Sequence, residues 1–270
     1  MKKSEIVLLR EYKVVKHNNL IQRSRYELST QEQKIILYLI TKIRPEDPEF
    51  DLYEFNIKDF CEVCGINSTS GGNYALLKEI IKRLTDKSIW IKLDNGDETV
   101  VRWIERPYIN RKSGTIKIKL DELMRPYLLQ LKEHFTAYSL YYTLAMKSKY
   151  SIRIYELLKS YENLSECIFE IEELKKHLSA EKYKIYKDFR VKVLDIAIRE
   201  INDFSDIIVT YTIEKKRQKA DKIYFNIKSK KNVKDRLETF KKIEKRINPK
   251  EIPGQQNLFV WPVPAAYANA

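Results

Sequence analysis

Four cations, Lys184, Lys187, Arg190 and Lys192, fall within nine positions, and five more, Lys215, Lys216, Arg217, Lys219 and Lys222, crowd a second short stretch. These side chains only donate hydrogen bonds. The chemistry they suit is the binding of phosphate oxygens and, for arginine, two-point pairing with guanine O6 and N7. Asp188 lies among the first group and Asp195 just beyond it, as they would on an ordinary solvated helix face. The wider charge distribution decides between the two readings. The net charge is +13, and residues 212–250 hold fifteen Lys or Arg against five Asp or Glu, contributing +10 of it. A lysine-rich composition alone would spread that excess evenly. Its concentration implies a polyanionic partner, nucleic acid first, although an anionic membrane surface attracts the same charge.

Other chemistries find no constellation to support them. A DNA nickase needs a metal-binding His-hydrophobic-His pair beside a tyrosine, and the three histidines, His17, His134 and His177, are scattered. No Gly-x-x-x-x-Gly-Lys phosphate loop occurs, because the stretch from Gly65 to Gly72 lacks the lysine. Cys61 and Cys64 have the spacing of half a zinc site, but Cys167 stands alone and no second pair follows. These thiols read as core residues. The expectation is therefore no catalytic residue, no metal and no cofactor. An odd number of cysteines, three, fits a reducing compartment. The start, Met1-Lys2-Lys3-Ser4-Glu5, does not read as a signal peptide, and no apolar run approaches a membrane span. A soluble cytoplasmic protein without a membrane partner is expected.

The cation clusters need elements to present them, and those elements come as a repeat. Ser29-Thr30-Gln31-Glu32 has the pattern of a capping box opening a helix, with Ile35, Ile36, Leu39, Ile40 and Ile43 on its apolar face and Pro45 beyond. Phe55 and Ile57 alternate as a short strand before a helix over 58–64. A further helix follows, in which Tyr74, Leu77, Ile81 and Leu84 share a face. Ile89, Ile91 and Leu93 form one arm of a hairpin that turns at Asn95-Gly96 and returns over 100–104. Trp90 and Trp103 are expected to pack across its strands. Helix, short strand, two helices and a hairpin is the order of a winged helix-turn-helix. The order recurs. A long helical region is expected over 138–161, a strand at Phe169 and Ile171, helices over 172–178 and 186–202, and a hairpin of Ile207, Val209 and Tyr211 with Ile223, Phe225 and Ile227. Phe55 and Phe169 are 114 positions apart, as are Ile57 and Ile171, and Ile89 and Ile207 are 118 apart. The predicted class is α+β, two tandem winged-helix domains over 11–130 and 131–231. A strand (115–120) and a broken helix (121–131) connect them, and a basic helix-like segment and tail fill 232–270.

Several blocks also carry a family signature. Phe135-Thr136-Ala137-Tyr138, the run from Lys147-Ser148-Lys149-Tyr150-Ser151 to Lys159, Phe189-Arg190-Val191-Lys192-Val193-Leu194-Asp195 and Lys16-His17-Asn18-Asn19-Leu20-Ile21 together resemble the iteron-binding plasmid replication initiators of the RepE and Pi type. The resemblance covers about residues 12–231, with valine at 191 where that family's pattern has a basic residue. It implies a protein that binds repeated origin sequences in double-stranded DNA, represses its own gene as a dimer, and recruits host replication proteins: a host initiator and a replicative helicase. The alternative on the same fold is a transcription regulator acting only at an operator.

Docking geometry then assigns candidate roles. The third helix of a winged helix enters the major groove by its N-terminal end, and the wing follows the backbone. Lys184, Lys187, Arg190 and Lys192 are therefore the candidate base and groove contacts, and Lys215, Lys216, Arg217 and Lys219 the phosphate contacts. In the first copy Lys78, Lys82 and Arg83 lie off the apolar face, with Lys78 and Lys82 the candidate contacts, but the wing sequence Asp94-Asn95-Gly96-Asp97-Glu98 is acidic. The second domain is expected to be the principal reader, the first an auxiliary contact and dimerisation module. In the tail, Gln255, Leu258 and Phe259 of Gln255-Gln256-Asn257-Leu258-Phe259 resemble the bacterial sliding-clamp-binding pentapeptide.

Overall fold

Ser29 caps its helix as the spacing predicts. Its hydroxyl accepts from the Glu32 amide at 3.3 Å, and the Glu32 carboxylate accepts from the Ser29 amide at 2.7 Å. The computed structural model describes residues 13–44, 47–58, 61, 72–93, 95–110 and 112–247. Cys64, Gly65, most of the helix expected over 58–64, Asp94 and the candidate tail residues Gln255, Leu258 and Phe259 lie outside the described residues.

The first half runs β1 (Lys13–His17), α1 (Asn18–Gln22), β2 (Ser24–Arg25), α2 (Thr30–Ile40), β3 (Tyr53–Asn56), α3 (Gly72–Thr85), β4 (Ser88–Lys92), β5 (Glu98–Arg102), β6 (Tyr108–Asn110) and β7 (Thr115–Ile118). A single 3₁₀ turn and α4 (Arg125–Leu128) lead to β8 (Phe135–Ser139), α5 (Tyr141–Leu144) and α6 (Lys149–Lys159). The second half runs β9 (Glu166–Glu170), α7 (Ile171–His177), α8 (Tyr186–Phe189), a π turn (Arg190–Leu194), α9 (Asp195–Phe204), β10 (Ile207–Lys216), β11 (Lys219–Ser229) and α10 (Val233–Ile247). This is the predicted α+β pair of winged helices. Among the described residues no helix is long and apolar enough to cross a membrane.

The two copies close their sheets differently. In the second, β9 pairs with β11, which pairs with β10. In the first, the hairpin β4–β5 is closed by β2, while β3 joins the β6–β7 hairpin instead. The extra hairpin supplies the edge that β3 takes, so an equivalent sequence pattern meets a different partner.

Two local expectations are corrected. Residues 138–161 do not form one helical region. Thr136 and Tyr138 point inward from β8, which is antiparallel to β1, and α6 starts afresh at Ser148. The buried Glu200 carboxylate enforces that restart by accepting from the Lys147 and Ser148 amides at 3.1 and 3.2 Å. Trp90 and Trp103 do not pack across the hairpin either. Trp90 stands opposite Val100 on its exposed face, whereas Trp103 follows β5 into the core and meets Tyr26 edge-on at 4.9 Å.

One continuous apolar core runs through both halves, from Ile35, Leu84 and Ile89 through Ile152 and Leu158 to Phe189, Leu194 and Ile207. Helix α6 lies along the seam, and a buried polar cluster is set into it. Lys16 Nζ is 2.5 Å from Glu156 Oε1, to which the Tyr138 hydroxyl also donates at 2.5 Å. Arg153 donates to the Tyr26 hydroxyl at 2.6 Å, and its second terminal nitrogen lies 3.0 Å from His177 Nε2. Burial pushes the Lys16 pKa down against the opposing pull of Glu156. Buried charges are tolerated only when paired, so this cluster ties β1 to α6 and α7. Helix α10 packs behind α9, where Phe240 and Ile243 join Tyr141, Ala145 and Phe204 in a small second core.

Candidate nucleic-acid interface

The helix that presents the first cation cluster is continuous from 186 to 204 but not uniformly α. Phe189, Val193, Leu194, Ala197 and Ile201 bury completely. Between Phe189 and Leu194 this inward series spans five positions, and the π turn accommodates it: the Asp195 amide donates to the Arg190 carbonyl, five residues back. One extra residue in the turn keeps both ends of the apolar stripe on the core. It also rotates the outward face, and such insertions are frequent at functional sites.

Lys184, Lys187, Arg190 and Lys192 are all exposed on or just before this helix, so the structure brings the predicted cluster together. They are not equivalent. Lys192 is held by Asp188 one turn back at 3.1 Å. Arg190 Nε lies 3.6 Å from Asp195 Oδ2, and the other oxygen of that carboxylate accepts from the Tyr211 hydroxyl at 2.7 Å. Burial first, then the bond to Asp195, pushes the Tyr211 pKa up, so the hydroxyl stays a donor. Asp195 thus links this helix to wing strand β10 and lies beside the Nε edge of Arg190. Sequence inspection noted Asp195 only as a nearby acid. Five positions is not the spacing of helical neighbours, so neither its contact with Arg190 nor the wing tyrosine could be inferred.

The wing hairpin is long, ten residues in β10 and eleven in β11. Lys216 pairs with Lys219, leaving Arg217 and Gln218 as a two-residue turn with φ of 49° and 68°. Positive φ at both central positions is the turn geometry that matches strand twist, here without the usual glycine. Lys215, Lys216, Arg217 and Lys219 are all exposed at this tip, an arrangement suited to phosphate.

In the first copy Lys78 and Lys82 are exposed on α3, opposite the buried Leu77, Ile80, Ile81 and Leu84. Neighbouring Arg83 and Lys87 instead turn to Glu32, at 3.6 and 3.0 Å. The described part of the first wing tip keeps Asp97 and Glu98 exposed. Of the ten candidate cations, two therefore stand on the helix of the first copy and eight on the helix and wing of the second. Of the cysteines, Cys61 and Cys167 are buried, and burial pushes the Cys167 thiol up to about 12.

Comparison with known proteins gives matches to two family models. Residues 13–159 match the initiator replication protein WH1 family, and residues 170–227 the initiator Rep protein WH2 family. A replication initiation protein of Escherichia coli is 25% identical over 226 residues, covering 79% of this chain and 69% of the relative. The PI protein of Escherichia coli is 30% identical over 170 residues, covering 56% of this chain and 54% of its own length. Among solved structures, domains 2 and 3 of RctB are similar with a TM-score of 0.39 and 12% identity, over 76% of this chain and 85% of that one.

Proposed function

This chain belongs to the family of plasmid replication initiators built from two winged-helix domains, and on that premise we propose that it binds repeated sequences in double-stranded origin DNA. The observation that carries the reading is the exposed cation set on the second recognition helix and wing, with Arg190 steadied by Asp195. The helix reads bases and the wing grips phosphates. Lys78 and Lys82 of the first module add auxiliary backbone contacts, while its acidic wing turns that module towards dimerisation. As a dimer the protein represses its own gene.

In this role the protein uses no catalytic residue, cofactor or metal. Strand opening and unwinding then require recruited host proteins, namely an initiator, a replicative helicase and a sliding clamp engaged by Gln255, Leu258 and Phe259. The site of action is the cytoplasm. A tail peptide should bind the clamp and lose that binding when Leu258 and Phe259 are changed to alanine.

Footprinting across the DNA flanking the gene tests the main reading. Protected direct repeats, each about two helical turns long, are expected, whereas a lone inverted repeat would mark an operator-only regulator. Six of the eight candidate cations of the second module, all but Arg190 and Lys192, have no short acidic partner and, with Lys78 and Lys82, would release counterions from about eight phosphates. Affinity should then fall about 10⁴-fold between roughly 50 and 200 mM salt. A flat salt titration would remove this surface from DNA binding.

A further inference from the structure

The outward face of the recognition helix is set by residues four apart, Lys187, Val191, Asp195 and Arg199, all exposed and opposite the buried Phe189, Val193, Leu194, Ala197 and Ile201. Three of the four are charged. Val191 is the exception, 46% exposed one turn after Lys187 and one turn before Asp195, with Arg190 and Lys192 on either side in the chain.

The fold gives no reason for this valine. Its side chain contributes little to the core, and a β-branched residue at an exposed helical position is less favourable than alanine, lysine or arginine. Single exposed aliphatic residues are common on protein surfaces and by themselves mean nothing. Position makes the difference here. An apolar protein partner or a lipid tail would have to desolvate four neighbouring charged groups to reach this side chain. A polyanion bearing one recessed apolar group would not. In the major groove that group is the thymine 5-methyl, which lies between phosphate rows that Lys187, Arg190 and Lys192 complement.

We propose that Val191 reads thymine, its branched side chain packing against a 5-methyl group and distinguishing thymine from cytosine at one position of the bound site. This rests on the reading that the second module docks this helix in the major groove.

The test uses the full chain and a duplex site that it selects from a randomised pool. Each thymine of that site is replaced in turn by 2′-deoxyuridine, which removes only the methyl group, and affinity is measured at one salt concentration. One replacement should weaken binding about fourfold, the size expected for re-exposing a single methyl-sized group. Val191→Ala should weaken binding to the thymine duplex by a similar factor and show no further loss on that deoxyuridine duplex. Deoxyuridine costing nothing at every thymine, or costing the native chain and Val191→Ala equally, overturns the proposal. Arg190→Ala on the same duplexes separates this from failure of the underlying reading. If it weakens the selected site while the deoxyuridine scan is flat, only the role of Val191 falls. If neither Arg190→Ala nor Val191→Ala changes affinity, or no site is selected, groove docking by this helix falls with it.

Discussion

Glu156 is the anion around which the seam between the two modules is assembled, so replacing it measures what that seam contributes. Its side chain and that of Lys16 are only 1% and 3% exposed, with 2.5 Å between the charged atoms. Arg153 adds a second cation 3.9 Å from the other carboxylate oxygen. Glu156→Leu leaves both cations facing an apolar replacement and deprives the Tyr138 hydroxyl of its acceptor. Breaking a buried ion pair by removing one partner costs about 3–5 kcal/mol, because the remaining charge stays desolvated. Lys16 can relieve part of this by losing its proton, since burial already lowers its pKa. We therefore expect about 3 kcal/mol for Glu156→Leu. Lys16→Met with Glu156→Leu removes the lysine charge as well and should recover about 1–2 kcal/mol relative to the sum of the single changes. Guanidinium unfolding followed by far-ultraviolet circular dichroism and by tryptophan fluorescence provides the measurement. Single variants within about 0.5 kcal/mol of the native chain, or a double variant that is simply additive, would refute the argument, since contacting residues should couple by more than that.

Other substitutions report on the binding surface and on pH. Arg190→Ala should cost about 1–3 kcal/mol on the cognate site and much less on random DNA, whereas Lys216→Ala should weaken both alike. Equal losses for Arg190→Ala would show that it does not read bases. Asp195→Asn preserves a hydrogen-bond acceptor for Tyr211 but removes the charge beside Arg190; the ratio of cognate to random affinity should fall, and an unchanged ratio would deny Asp195 a positioning role. Burial, then the charge of Arg153, pushes the His177 pKa down from 6.5 to about 3. The histidine is neutral in the fold and protonated in the unfolded chain between those values, so stability drops as pH falls through that window. Between pH 7.5 and 5 the native chain should lose about 1–2 kcal/mol more than His177→Gln, as read from unfolding midpoints. Equal losses would place the acid sensitivity elsewhere.

What sequence made legible was local or periodic. The Ser29 capping box, the buried faces of α3 and of the 186–204 helix, and the clustering of Lys184, Lys187 and Arg190 all follow from spacings of a few residues. Pairings over long separations were not legible. Phe135-Thr136-Ala137-Tyr138 carries aromatic residues equally compatible with a helix, and only its pairing with β1, more than a hundred positions earlier, makes it a strand. The same holds for β3, whose alternation was evident but whose partner β7 was not. The π turn was hidden because its effect is a shift of one position in an otherwise helical pattern. Trp103 was misassigned because strand alternation was carried one residue past the end of β5.

The pairing of β1 with β8 has a consequence for how the protein is made. Lys16 finds Glu156 140 positions later, and β1 has no strand partner among the described residues until β8 emerges. At about 5–20 residues per second, a ribosome needs roughly 6–24 s to deliver that strand, whose register sets Val15 opposite Ala137. Throughout this interval the first strand waits with its backbone donors and acceptors unpaired, and the inward face of α2 lacks α6 as a cover. Closing so long a loop adds little to the equilibrium free energy but lengthens the exposure of an incomplete edge. Yield in a cell should therefore depend on translation speed and on chaperones that shield the nascent first module, more than on the stability of the finished fold.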